Sequence, residues 1–329
     1  MSANKKTDVA LVLSSGGPRG FAYIGAIEEL ISRGYNITSV AGTSIGSLIG
    51  GIFAAGKLTE FKEWLFDLDN FKLMRLLDVS ISASYLLRGQ KVIERIKEVV
   101  PDMNIEDLPI PYVAVATDLY SGEPVVYRQG KLFNAIRSSI SIPSLFMPNK
   151  DGWRVLVDGG IVSTFPLSYV ARNGNDILVG FDVNDTDAEA IESTQRAAFE
   201  QREETQKAQN DSVTFMKDVT GDKSLTFMEK ARMIGDEGER LFRKTFLEEK
   251  IEDPIGADDN YFSILTRSFA IANHTIAKLE TKLNKPDILV KMSFDSYGAI
   301  PDYAKGSEIS DKGRALMAEA LDKYEKGLS

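Results

Sequence analysis

A three-layer α/β/α fold around a mostly parallel sheet is the class that this 329-residue sequence predicts, and three observations carry the prediction. Short runs such as Val9 to Leu13 and Tyr112 to Ala116 are apolar throughout, as expected of strands buried on both faces. Helical patterns alternate with such runs as far as Val183, the order of a sheet whose strands are joined by helical crossovers. The hydrophobic content of 43% is that of a globular core.

Taken in order, the first strand is Val9 to Leu13. A glycine-rich loop, Ser14-Ser15-Gly16-Gly17-Pro18-Arg19-Gly20, leads to a helix from Phe21 to Arg33 with Ile24, Ile27, Leu30 and Ile31 on one face. A second strand ends at Val40-Ala41 and runs into Gly42-Thr43-Ser44-Ile45-Gly46 and a helix bearing Ile45, Leu48, Ile49, Ile52 and Phe53. Residues 57 to 100 read as helices with an irregular middle. Phe61, Trp64, Leu65, Phe66 and Leu68, then Phe71, Leu73, Met74, Leu76 and Leu77, make this stretch unusually apolar before Ser80 to Leu87. It suits either ordinary core or an apolar wall where an acyl chain enters.

Tyr112 to Asp118 is a buried strand, Val125 to Tyr127 a shorter one, and Leu132 to Ser139 a helix. Trp153 to Val157 is a strand ending in Asp158-Gly159-Gly160, and Pro166 opens a helix reaching about Arg172. Ile177 to Val183 closes the sheet. From Asn184 to about Asp259 the chain is polar, charge-dense and helical in propensity, with Phe215, Phe227, Met228 and Met233 among few apolar residues; it reads as a helical insertion over the site. Residues 261 to 283 form an amphipathic helix with Leu265, Phe269, Ala272, Ile276, Leu279 and Leu283 on one stripe. Asp287 to Met292 is a strand, and Asp311 to Lys326 the last helix.

A formal charge of −9 argues against a nucleic-acid binder, which needs a basic face. Absence of cysteine excludes disulfides and thiolate zinc sites. No apolar run has the length of a membrane span, so a cytoplasmic protein is expected, with peripheral membrane contact left open and oligomeric state undetermined.

Gly42-Thr43-Ser44-Ile45-Gly46 has the strand, sharp turn and helix that a nucleophile elbow needs. Glycines flank the serine because a turn that pushes out one hydroxyl leaves no room for a neighbouring β-carbon. The loop at residues 14 to 20 is an anion cradle of converging backbone N–H groups. Its Ser15, Gly17 and Gly20 are spaced like a dinucleotide fingerprint that has lost a glycine, so a nucleotide-binding enzyme is an alternative. That fingerprint requires an acidic residue at the end of the second strand, and Asn36 to Gly42 contains none. The second strand delivers Ser44 instead, and the loop reads as an oxyanion hole.

A serine hydroxyl needs a base, and the one histidine, His274, falls nearly opposite the apolar stripe of its helix at about 100° per residue. It is expected to face solvent. Asp118, Asp158 and Asp182 all stand at strand ends where a carboxylate can take the proton directly. Asp158 adds Gly159 and Gly160, which allow close backbone approach to Ser44.

These residues resemble the patatin-like phospholipase family, in its bacterial branch related to neuropathy target esterase. Ser15 to Gly20 is similar to the family's oxyanion motif, Gly42 to Gly46 to its elbow, Ala135 to Pro148 to its Ser/Pro block, and Asp158-Gly159-Gly160 with Pro166, Ala171, Arg172 and Asp182 to its aspartate block. The resemblance runs from Val9 to Val183 and resumes from Leu265. It implies a patatin-like acyl hydrolase domain over 8–326, with 184–259 as an insertion and candidate lid.

The resemblance further implies Ser44 as nucleophile, Asp158 as proton acceptor, and the N–H groups of Gly16, Gly17 and Arg19 as oxyanion donors. The implied reaction is hydrolysis of phospholipid or lysophospholipid esters through an acyl-enzyme, with no metal or cofactor. Ser15 in place of a first glycine, Pro18 without an N–H, and Ser163-Thr164 where asparagine is common depart from the pattern. A non-catalytic lipid-binding protein is the remaining alternative.

Overall fold

Alternate side chains of β1 (Asp8–Leu13) enter two different cores. Val9, Leu11 and Leu13 pack into the larger one with α1 (Ala22–Ser32), α2 (Ile45–Ala54) and α9 (Gly306–Glu325). Ala10 and Val12 pack into the smaller one, with Phe165, Leu167, Val170 and Ala277 of α8 (Tyr261–Asn284). The period-2 alternation of a strand thus separates the outer layers of an α/β/α sandwich. The computed structural model describes residues 7–69, 72, 89–143, 145–186, 188–242, 261–297 and 300–327. Phe71, Leu73, Met74, Leu76, Leu77 and the Ser80 to Leu87 run lie outside the described residues, as does 243–259 of the predicted insertion.

The sheet, eight-stranded among the described residues, also contains β2 (Asn36–Thr43), β3 (Tyr112–Asp118), β4 (Pro124–Tyr127), β5 (Asn149–Asp151), β6 (Arg154–Asp158), β7 (Ile177–Asp185) and β8 (Ile288–Ser293). Bonded neighbours follow the order β5-β6-β3-β2-β1-β7-β8, with β4 also on β3. The five strands from β8 to β3 are parallel, and β4, β5 and β6 join antiparallel. β7, expected to close the sheet, is internal because β8 pairs beyond it.

The register of β3 matters most for the site. Val115 pairs with Thr43 of β2 and with Val126 of β4, so those strands occupy its two edges. Ala116 pairs with Val125 of β4 and Asp158 of β6. It follows that β6 takes the same edge of β3 as β2, beginning where β2 leaves for the elbow. Thr43 and Asp158 therefore stand opposite consecutive residues of one strand.

Two expectations are corrected. No helix forms from Pro166 to Arg172; the segment is a turn. Phe165 and Leu167 are both buried in the smaller core, and residues two apart cannot share a helix face. The Phe165 N–H is also drawn to Glu280 at 2.6 Å. On α8, the predicted apolar stripe is not the buried face: Leu279 and Leu283 are 54% and 82% exposed, whereas Asn273 and Ala277 are buried. That helix presents a polar, small-residue face to its neighbours, so apolar spacing points the wrong way.

Three further helices among the described residues, α3 (Leu58–Phe66), α4 (Gln90–Val99) and α5 (Leu132–Ser139), lie in the part of the chain before β7. Residues 1–186 with 265–329 form one compact unit and 187–264 a second. In the second, α6 (Ala188–Gly221) and α7 (Phe227–Phe242) lie against each other. Thr226 and Glu229 start α7 with reciprocal side-chain to backbone bonds, a capping box. Phe227 and Met228 beside them are exposed. No helix among the described residues is long and apolar enough to cross a membrane.

Candidate active site

β2 ends at Thr43 and α2 begins at Ile45, so one residue makes the whole reversal of the chain. Ser44 has φ 55 and ψ −123, in the half of backbone space that residues with a β-carbon avoid, a strain of about 1–3 kcal/mol. The turn is tight enough that a β-carbon on Gly42 would lie 2.2 Å from the Gly46 carbonyl oxygen, and one on Gly46 2.3 Å from that of Leu13. Neither contact can be relieved by a rotamer change. The Ser44 N–H donates to Ser139 Oγ at 2.8 Å, and that hydroxyl donates to the Val115 carbonyl at 2.6 Å. The Ser44 carbonyl accepts the first helical bonds of α2, from Ser47 and Leu48.

The shared edge of β3 delivers Asp158 to this serine. Ser44 Oγ donates to Asp158 Oδ2 at 2.5 Å, and the Gly160 N–H donates to Oδ1 at 2.7 Å. Gly159 passes so close to β3 that a β-carbon there would sit 2.2 Å from the Val115 carbonyl oxygen. Burial raises the Asp158 carboxyl to about 7, against the lowering pull of the bonds from Ser44 and Gly160. A carboxylate titrating there is far more basic than an exposed one. Asp118 and Asp182, the other strand-end candidates, are engaged elsewhere. Asp118 accepts the Tyr120 N–H and stands 3.8 Å from Arg154; Asp182 accepts the Asn184 N–H and is raised by burial.

The glycine-rich loop enters a single 3-10 turn, Gly17–Phe21. Ser15 N–H is tied to the Thr164 carbonyl at 2.9 Å. Space selects two of the small residues, since a β-carbon on Gly16 would meet Val183 at 2.2 Å and one on Gly20 would meet Ile45 at 2.3 Å, whereas Gly17 is selected by its φ of 57. Among the described residues, the Gly16 and Gly17 N–H groups have no hydrogen-bond partner.

The Arg19 side chain has a place that its spacing in the loop did not suggest. It is buried and donates to three carbonyls, of Val183 at 3.0 Å and of Phe294 and Tyr297 at 2.7 Å each. Burial lowers its pKa, and the carbonyl dipoles hold the guanidinium in place of a carboxylate partner. The one available signal was a cation within a loop of small residues.

From the other side, α8 supplies contacts that sequence reasoning missed. Asn273 Nδ2 donates to Ser15 Oγ and Asn273 Oδ1 accepts from Thr164 Oγ1, both at 3.3 Å. A β-carbon on Gly160 would lie 3.3 Å from the same Asn273 oxygen. Glu280 accepts from Ser163 Oγ at 2.5 Å and from the Phe165 N–H, and burial raises it to about 7. His274 does not face open solvent as predicted. It is half-buried beside Asn273, with Nδ1 2.8 Å from the Asn184 carbonyl oxygen. It turns inward because the buried face of α8 is the polar one. Its ring makes no bond to Ser44, whose hydroxyl goes to Asp158.

Ser44 and Gly17 open onto a cavity of about 120 Å³. Its other walls include Phe61, Trp64, Ile96 and Phe146, so part of the apolar 57 to 100 stretch lies beside the serine.

Comparison with known proteins agrees with this architecture. Residues 11–171 match the family profile described as patatin-like phospholipase. An uncharacterized NTE family protein of Mycobacterium tuberculosis is 44% identical over 180 residues, 55% of this chain and 50% of that protein. A second NTE family protein of that organism is 31% identical over 183 residues, 54% of this chain and 30% of that one. Patatin-like phospholipase domain-containing protein 7 of Rattus norvegicus is 30% identical over 187 residues, 54% of this chain and 14% of its own length. The matches span half or less of the length of these relatives. By the profile and by these relatives, residues 11–171 of the chain match the patatin-like phospholipase family.

Proposed function

We propose that the chain is a serine acyl hydrolase that cleaves carboxylic ester bonds of phospholipids or lysophospholipids. In this reading Ser44 is the nucleophile and Asp158 its base. The observation that carries it is the 2.5 Å bond from Ser44 Oγ to a buried carboxylate at the mouth of an apolar cavity. As Oγ attacks the ester carbonyl carbon, its proton passes to Asp158 Oδ2. The carbonyl oxygen becomes an oxyanion held by the N–H groups of Gly16, Gly17 and Arg19, each donor being worth ~3 kcal/mol. Collapse breaks the ester C–O bond, and the departing alcohol takes the proton from Asp158. Water then attacks the acyl-serine, gives its proton to the same carboxylate, and releases the fatty acid as Ser44 recovers its hydrogen.

Since only ionised Asp158 can accept a proton, kcat/KM is expected to rise with pH through about 7 and then level off. The domain reading belongs to the same proposal: one patatin-like domain across 8–326, with 184–259 inserted in it. The test is a substrate panel of p-nitrophenyl esters, lysophosphatidylcholine and diacyl phospholipid, with wild type and Ser44→Ala. Turnover and fluorophosphonate labelling are expected in the first and absent in the second. Undiminished turnover in Ser44→Ala sinks the reading.

A further inference from the structure

In the α/β unit, burial raises the hydroxyl pKa of Tyr23, Tyr112, Tyr127 and Tyr303 among others, and the first three have partners. Tyr23 bonds the Ser14 carbonyl at 2.8 Å, Tyr112 that of Ser47 at 2.7 Å, and Tyr127 the Asp151 carboxylate at 2.7 Å. The fourth is Tyr303, in the turn before α9. Its hydroxyl has no hydrogen-bond partner among the described residues. Tyr303 is half-buried at the wall of the cavity, and a hydroxyl left there without a protein partner is free to bond what enters beside it.

The position of this hydroxyl says what that is. Tyr303 lines the cavity together with Ser44 and Gly17. A β-carbon built on Gly17 would lie 3.5 Å from the Tyr303 oxygen, so the phenol hangs over the Gly17 backbone. Its ring is held edge-on against Phe21, with centroids 5.7 Å apart at 80°, which fixes where the oxygen points. Burial raises the phenol to about 12, so it keeps its proton at any working pH and can serve only as a neutral donor or acceptor.

Resting on the hydrolase reading above, we infer that the Tyr303 hydroxyl donates a hydrogen bond to the carbonyl oxygen of the scissile ester, beside the Gly17 N–H. A backbone cradle alone offers fixed donors. A side-chain donor beside it adds one whose bond shortens as charge develops on that oxygen, so it favours the transition state over the bound ester. The acceptor class is a carbonyl oxygen turning into an oxyanion.

Tyr303→Phe removes one oxygen and leaves the ring on Phe21. With p-nitrophenyl ester and lysophosphatidylcholine, kcat is expected to fall about a hundredfold while KM stays within about twofold. Because the hydroxyl has no internal partner, Tm is expected to hold or rise slightly. An unchanged kcat overturns the inference, as does a rise in KM with kcat intact, which would put the hydroxyl on another part of the substrate. A drop of several degrees in Tm overturns it too, since the hydroxyl would then have a structural bond. Ser44→Ala run in parallel separates the two claims. If it retains turnover, the hydrolase reading falls; if it is inactive and Tyr303→Phe is not impaired, only the Tyr303 assignment falls.

Discussion

The loop that starts at Asp158 is held from two sides, and the sides obey different rules. On the sheet side, Thr43, Val115, Ala116 and Asp158 are placed by backbone strand pairing, to which Ser139 and Thr117 add side-chain bonds to the Val115 and Asp158 carbonyls. On the α8 side, Asn273 and Glu280 reach Ser15, Thr164, Ser163 and Phe165 through side chains, some at 3.3 Å. The first side tolerates no displacement without breaking a ladder. The second adjusts by rotamer. Substitutions on the sheet side should therefore be severe, and those on the helix side graded.

The largest effect is expected from Asp158→Asn, which keeps the shape of the side chain and removes the proposed base. Ester turnover should fall by ~10³-fold. Its stability should move the other way. Folding raises the Asp158 pKa from 3.8 to about 7, so the folded state favours the protonated form. That contribution to stability is complete below pH ~4 and is lost as pH rises through about 7, a difference of roughly 4 kcal/mol. At pH 8 Asp158→Asn should melt at or above wild type, with the gap closing toward pH 4. A lower Tm for the variant at pH 8 would mean that the carboxylate is stabilised by something besides Ser44 and Gly160.

Gly159→Ala comes next, because the new β-carbon meets the Val115 carbonyl at 2.2 Å and a backbone atom cannot rotate away. A loss of about 3 kcal/mol in urea unfolding is expected, with reduced turnover in what remains folded. Asn273→Ala should be milder, about 1–2 kcal/mol and roughly tenfold in kcat, since Thr164 Oγ1 still has the Gly160 carbonyl at 2.9 Å. Smallest is His274→Ala, expected within about threefold of wild-type turnover and ~1 kcal/mol of its stability. Were its kcat to fall as far as that of Asp158→Asn, a histidine would have to be part of the proton relay and the contrast between the two sides would disappear.

The same contrast marks what was legible beforehand. The elbow at Ser44, the loop at 15 to 20 and the pair Gly159 and Gly160 are local patterns whose spacing reflects steric limits of the backbone, so they stand out in the chain. The apolar runs gave the strands for the same reason. Which face α8 buries was not legible, because its partners are polar atoms of Ser15, Ser163 and Thr164 and no apolar periodicity records them. The false helix at Pro166 arose because a favourable first residue says nothing about Phe165 and Leu167 being drawn into one core. The anchoring of the Arg19 side chain on Val183, Phe294 and Tyr297, and the place of Tyr303, escaped because both depend on segments far apart in the chain.

β3 contributes no reacting atom to the site and yet sets its spacing. β3 carries Thr43 and Asp158 on one edge, opposite Val115 and Ala116. It works as a ruler: the residue before the alcohol and the residue bearing the acid are set one backbone repeat apart along it. A slip of β3 by a single residue against either neighbour would turn its side chains to the wrong layers and pull the two groups apart. The distance on which the proposed chemistry depends is thus guarded by the whole hydrophobic interior, and random drift in β3 should be rarer than its lack of chemistry suggests.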